Sequence, residues 1–324
     1  MQQTKFDVVG VGNAIVDVIA NVDDDFVRRH GLNKGSMTLI DQDRAIELYA
    51  SMPPGIEASG GSAANTMAGV ASFGGRAGYI GKCRDDQLGD VFRHDIRASG
   101  VSYDVDLGTA GPSTARCLIQ VTPDAQRTMN TFLGISALLS PDDVDGDLVA
   151  SASVVYCEGY LWDVEIAKQA IRKAMDIAKG AGRKVALTLS DSFCVDRHRD
   201  EWRELIRDKV DIVFANEAEL CALYECDWPT AARHITTDVE IGCLTRSAHG
   251  STIVVGRERV DVDAHPARVV DTTGAGDLYA SGFLFGYTQG LDLRRCAELA
   301  GLAAAEIIGH LGARPARPLT ALVG

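Results

Sequence analysis

Apolar residues in this chain gather in short runs that glycine, asparagine or aspartate interrupts, and the period within the runs switches between two and roughly 3.6 residues. FDVVGVGNAIVDVIANV (6–22) is too long for one simple strand. Gly10 and Gly12 predict a break, after which AIVDVIANV alternates as a half-exposed strand. GGSAANTMAGVASFGG (60–75) predicts a small-residue helix that starts after two glycines and ends at Gly74-Gly75. GYIGKC (78–83) reads as a strand and LGDVFRHDIRASG (88–100) as a helix closed by Gly100. Between about 105 and 134 the pattern turns β-like: ARCLIQVT and RTMNTFLG flank Pro123-Asp124-Ala125, which predicts a hairpin. From 154 onward strands alternate with helices through VVYCEGY, VEIAKQAIRKAMDIAKGAG, KVALTLS, a helix near 200–208, DIVFAN, EAELCALY and EIGCLTRS. STIVVG and ERVDVDA form a late hairpin at 251–264, and helices over 275–289 and 292–309 finish the chain.

Such alternation predicts an α/β fold, a three-layer α/β/α sandwich around a mainly parallel sheet. The β-rich segments 14–47 and 108–134 predict a small lid, leaving 1–13, 48–107 and 135–324 for the α/β domain. Composition narrows the partners. A formal charge of −13 excludes nucleic acid as the main one, although a nucleotide needs only local amides and one or two cations. No apolar run reaches the length of a membrane span and MQQTKFDVVG lacks a signal-peptide pattern, so a cytoplasmic protein with no membrane contact is expected. The eight cysteines form no CxxC pair and read as reduced thiols, and the seven histidines show no ligand spacing.

The candidate chemistry sits in VVDTTGAGDLYASGFLFG (269–286), where two glycines and an acid stand at the start of a helix. Amides of a first helical turn lack intrahelical partners and carry positive potential, and glycines let an anion approach them. Asp277 then either caps the helix or takes a proton from a hydroxyl beside the anion. Known phosphate signatures are absent. There is no GxxxxGK[ST], Gly10-Val11-Gly12 lacks the third glycine of a dinucleotide fingerprint, and no GxSxG occurs.

DTTGAGD (271–277), GGSAANT (60–66) and NEAE (216–219) stand in the order and spacing of the ribokinase-like (PfkB) sugar kinase family, and the chain resembles that family over essentially its whole length. The resemblance implies Asp277 as general base and Gly274, Ala275 and Gly276 as amide donors to the transferring phosphoryl group. It implies ATP and Mg²⁺ as cofactors, with Asn216 and Glu219 organising the metal through its water shell. Thr273 joins the nucleotide site, and Thr245, Ser247 and Gly250 resemble the family's TxGxxG nucleotide loop, with Ser247 in place of its first glycine. Read alone, NEAE is also a helix start capped by Asn216. Some relatives depend on a monovalent cation such as K⁺, and the resemblance extends that expectation here, together with a monomer or a homodimer formed through the lid.

For the acceptor, the resemblance points to Asn13, Asp17, Gly60, Gly61, Ser62 and Asn65. A carboxylate that accepts from two vicinal hydroxyls suits a ribose diol. VALTLSDSF (185–193) and GGSAANT resemble adenosine kinases, whereas 16–41 and 111–132 resemble bacterial guanosine/inosine kinases. EGYLWD (158–163) makes Tyr160, Leu161 and Trp162 candidates to face a purine, with a packed hinge aromatic as the other reading of Trp162. Arg127 matches an arginine that adenosine kinases bring over the phosphates; an exposed hairpin cation is its other reading. The expectation is an ATP-dependent nucleoside kinase acting on the ribose 5′-hydroxyl, adenosine first and guanosine or inosine next. The alternatives are a plain sugar kinase for ribose or fructose and a catalytically idle nucleoside-binding protein.

Overall fold

The computed structural model describes residues 4–124 and 126–323. Residues 1–3, Gly324 and Ala125 of the expected hairpin turn lie outside the described residues. The β-branched runs become thirteen strands in chain order: β1 (Phe6–Val11), β2 (Ile15–Asn21), β3 (Met37–Leu39), β4 (Ile56–Gly60), β5 (Ala77–Ile80), β6 (Ala115–Val121), β7 (Arg127–Phe132), β8 (Ala152–Glu158), β9 (Lys184–Thr188), β10 (Ile212–Asn216), β11 (Ile241–Thr245), β12 (Ser251–Val255) and β13 (Glu258–Val262). Eight of them form one sheet in the order β13-β12-β11-β10-β9-β8-β1-β5. Pairing is parallel from β5 to β11 and antiparallel only for β12 and β13, the expected late hairpin.

Both faces of this sheet are covered, which is why its strands are apolar at nearly every position. Val9, Val155, Leu187 and Val213 point to one face, under the Glu165–Gly180 and Ser192–Lys209 helices. Val8, Val154, Ala186 and Ile212 point to the other, under the Ser62–Ser72, Ala275–Thr288 and Leu293–Ile307 helices. The three-layer fold is therefore as expected.

A second, five-stranded sheet runs β3-β7-β6-β2-β4. β6 and β7 make the expected hairpin, and β2 lies parallel to β6, joining the two separate chain segments. The expected return to the α/β domain at residue 48 is corrected by β4, which pairs antiparallel with β2 and extends the small sheet to Gly60. Pattern reading also misses the helices Asp24–Arg29, Gln42–Ser51 and Trp228–Asp238. Each begins at an aspartate whose side chain accepts from the first turn (Asp23, Asp41 and Asp227).

Candidate active site

Ligands of open α/β sheets bind outside the carboxyl ends of the strands. Those ends here are Glu158 of β8, Thr188 of β9, Asn216 of β10 and Thr245 of β11, and β1 runs on into Gly12-Asn13. The acceptor and nucleotide motifs therefore gather along one edge, although they lie far apart in sequence.

At that edge the Ala275–Thr288 helix begins. Its N-cap is Gly274 at φ +77°, a left-handed conformation that a side chain rarely adopts, and no side chain caps the helix. The Ala275 N–H donates to the Thr272 carbonyl at 3.2 Å, whereas the N–H groups of Gly276 and Asp277 have no acceptor among the described residues. These free amides, at the positive end of a 14-residue helix, have the geometry to receive an anion. Of the three expected amide donors, Gly274 and Gly276 have no acceptor among the described residues, Ala275 is engaged elsewhere, and Asp277 adds its own.

The Asp277 side chain leaves the cap role unfilled and turns to the Ser62–Ser72 helix. Ser62 Oγ donates to Asp277 Oδ1 at 2.6 Å and Asn65 Nδ2 to Oδ2 at 2.9 Å. Enclosure raises the Asp277 carboxyl, while those two hydrogen bonds and the charge of Arg314 oppose the rise. Asp17 stands close by on β2, where a Cβ on Gly60 would lie 2.5 Å from its Oδ2. Burial pushes Asp17 up to about 6; Arg314 and Arg127 lower it and the Asp277 charge adds to it. Asn65 is buried, and its Oδ1 has no hydrogen-bond partner.

The Asn13 amide is already paired within the protein. The residue is 1% exposed, its Nδ2 donates to Glu158 Oε1 at 2.8 Å, and its Oδ1 accepts from Ser136 Oγ at 2.9 Å. Glu158 also accepts from the Ala63 N–H at 2.9 Å, and so ties the Asn13 turn to the start of the Ser62–Ser72 helix, where Gly61 is the N-cap. Burial pushes Glu158 up to about 7. Motif reading did not single out Glu158 or Arg314. An acid closing the apolar run VVYCE was a usable signal for the first; GARPARP has no local pattern that marks the second.

On the nucleotide side, Asn216 and Glu219 form a reciprocal cap. Asn216 Oδ1 accepts from the Glu219 N–H at 2.9 Å, and Glu219 accepts from the Asn216 N–H at 3.0 Å. The helix-start reading of NEAE is therefore present in the fold. Yet Glu219 is buried, which pushes its carboxyl up to about 7, and the charge of Asp191 adds to the rise. Ser247 takes φ +50°, the left-handed backbone expected of the glycine it replaces, and Gly250 takes φ +76°. Arg127 is not a free hairpin cation. Its Nη1 reaches Asp271 and, at 2.7 Å, Thr273 Oγ1. Asp271 Oδ1 accepts from the Thr273 N–H at 3.0 Å and Oδ2 from the Gly312 N–H at 3.1 Å.

Two expected base contacts are corrected. Leu161 and Trp162 are 2% and 0% exposed and belong to the core on the sheet's far face. Trp162 packs on Trp202 with ring centroids 5.0 Å apart, and its Nε1 donates to Glu201 at 3.1 Å. Once β8 ends at Glu158, the 3₁₀ turn Gly159–Asp163 carries these two side chains away from the cleft. Tyr160 stays near it, with its hydroxyl donating to the Ser190 carbonyl at 3.2 Å.

The molecule is similar to solved structures over nearly all its length. It superposes on an adenosine kinase from Sinorhizobium meliloti with 54% identity and a TM-score of 0.91, covering 98% of each chain. For a probable sugar kinase from Rhizobium etli CFN 42 the identity is 52% and the TM-score 0.92, over 99% of this chain and 98% of the other. The adenosine kinase of Saccharomyces cerevisiae is 26% identical across 94% of this chain and 95% of its own. Residues 56–319 match the model of the pfkB family carbohydrate kinases. With that match and this degree of likeness, the chain belongs to the pfkB carbohydrate kinase family, phosphotransferases that act on an alcohol group.

Proposed function

We propose that this kinase transfers the γ-phosphoryl group of ATP to the ribose 5′-hydroxyl of a purine nucleoside, adenosine first and guanosine or inosine next. One observation carries the nucleoside reading. On the face of the five-stranded sheet that bears Asp17, Met37, Met129, Ile119, Ile19 and Ile56 pair in register as one unbroken apolar row across all five strands. Met37 and Ile56 are exposed. An apolar floor beside a diol-binding carboxylate suits the flat face of a purine, whereas a free sugar offers hydroxyls all round. The 54% identity with a protein named adenosine kinase supports the same reading.

Each side chain then has a task. Asp17 accepts from the ribose diol, and the unpartnered Asn65 Oδ1 accepts another hydroxyl. Asp277, oriented by Ser62 and Asn65, takes the proton of the 5′-hydroxyl. The free amides of Gly276 and Asp277 stabilise charge on the transferring group. β2, β6 and β7 carry the lid, and Arg127 docks it on the loop that leads into the anion site. Glu158 and Asn13 hold the first helical turn at Ser62 rather than the sugar itself.

Magnesium bound with ATP supplies charge neutralisation at the phosphates. Asn216 and Glu219, which cap each other at the strand-end edge, are the residues that would hold it through water. A monovalent cation fits less well. Asp271, the buried carboxylate of the DTTGAGD loop, already has Arg127 as its counter-charge and amides on both oxygens.

The test is kcat/KM for adenosine, guanosine, inosine, ribose and fructose on one preparation. Nucleosides should exceed ribose by roughly 10² or more, because base binding can drive lid closure as well as affinity. If ribose or fructose equals the best nucleoside, the sugar kinase reading replaces this one.

A further inference from the structure

Arg314 lies in the loop after the last long helix, 37 positions beyond Asp277 in the sequence, and belongs to none of the motifs above. Its guanidinium is held at three points. Nε donates to the Ser59 carbonyl at 3.2 Å, Nη2 to Ser59 Oγ at 3.1 Å, and Nη1 to the Ala64 carbonyl at 2.6 Å. Ser59 is in β4 of the small sheet, and Ala64 is in the first turn of the Ser62–Ser72 helix. Between them run Gly60, Gly61, Ser62 and Ala63. One arginine therefore fastens the lid's last strand to the helix that presents Ser62 and Asn65 to Asp277.

The charge of the same cation acts on both cleft carboxylates. It is the foremost opposing charge on Asp17 and the opposing charge on Asp277. Burial lowers Arg314 to about 10, with Asp17, Tyr79 and Asp277 acting against that, so it stays charged at neutral pH. Asp17, Glu158, Tyr156 and Tyr160 also feel the Asp277 charge, and none of them is cationic at any pH. A cation tied by a planar fork can do what a mobile lysine or a bound ion does less well, fixing a turn and a charge in one place.

We propose that Arg314 is a positioning residue of phosphoryl transfer, which clamps the Ser59–Ala64 turn so that Ser62 and Asn65 aim Asp277, and which supplies the fixed positive charge shared by Asp17 and Asp277. The proposal rests on the reading of Asp277 as the base. Neither motif spacing nor likeness to relatives assigns it, because the residue acts through the turn it holds.

Two variants separate clamp from charge. R314Q removes the charge, so the acid limb of kcat/KM against pH moves to higher pH, since Asp277 loses its opposing charge and Asp17 keeps only that of Arg127, and both ionise later. R314K keeps the charge but not the fork, so its acid limb stays with wild type. Its kcat falls on the order of 10²-fold through misplacement of the base, while KM for ATP is unchanged. An acid limb in R314Q that coincides with wild type overturns the proposal, as does an R314K enzyme with wild-type kcat. R314K keeps the proposal testable if R314Q does not fold, which thermal melting reports. D277N is run alongside. Near-normal turnover in D277N removes the base reading itself, whereas a failure confined to the Arg314 variants leaves that reading standing.

Discussion

Asp277 could cap its helix or serve as a base, and at the scale of the single residue the two roles need different geometry. A cap accepts from the amides of its own first turn. Here both carboxylate oxygens accept from Ser62 and Asn65 on another helix, and the amides of Gly276 and Asp277 are left free. Asp277→Asn preserves that shape and removes only the proton acceptor. We expect kcat to fall roughly 10²–10⁴-fold with ATP affinity little changed, as read by steady-state kinetics and nucleotide titration. Enclosure raises the carboxyl, so wild-type activity should decline as pH falls through that raised value. Turnover close to wild type in the variant returns Asp277 to a structural role.

At the scale of the element, NEAE shows that a structural and a functional reading need not compete. Asn216 and Glu219 cap a helix of eight residues, and the same cap holds Glu219 buried at the edge of the sheet. Its carboxyl, normally near 4.5, is pushed up to about 7 by burial. The folded state therefore binds this proton more tightly than the unfolded chain. The stability this contributes is complete below about 4.5 and is lost as pH rises through about 7. Glu219→Gln keeps a cap-competent amide and has no such proton to lose. Urea melts across that window should show the wild type losing stability, by at most about 3 kcal/mol from this group, and the variant losing less. Parallel slopes for the two proteins would mean that Glu219 ionises as freely in the fold as in the unfolded chain.

Across the whole molecule, the two sheets divide the work. The eight-stranded sheet, covered on both faces, supplies the strand ends, and the five-stranded sheet carries Asp17 and an apolar face. Trp162 belongs wholly to the first of these tasks. Trp162→Ala should cost about 3–5 kcal/mol of stability by leaving a cavity against Trp202, while the ratio of kcat/KM for adenosine to that for ribose stays at the wild-type value. Denaturant melts and the two-substrate assay check this. A changed ratio at unchanged stability would put the indole in the acceptor site after all.

Periodicity and punctuation alone determined the α/β alternation, the two hairpins, the break after β1 and the helix that begins at Gly274, because these are local properties of backbone and side chain. DTTGAGD was legible for the same reason: a helix start that binds an anion needs glycine and free amides within a few consecutive residues. Tertiary structure decided everything that depends on which face a side chain takes. Trp162 sits only four residues from Glu158, yet the turn after β8 sends the indole into the core and leaves the carboxylate at the cleft. Asn13 follows a strand, as sugar-binding residues do, but both ends of its amide are taken by Glu158 and Ser136. The allegiance of β4 was settled by pairing with β2, since a five-residue strand suits either sheet until its partner is known. Arg314 was invisible along the chain because its three acceptors lie 250 or more residues away, and only the folded backbone brings a charge to a turn across that distance.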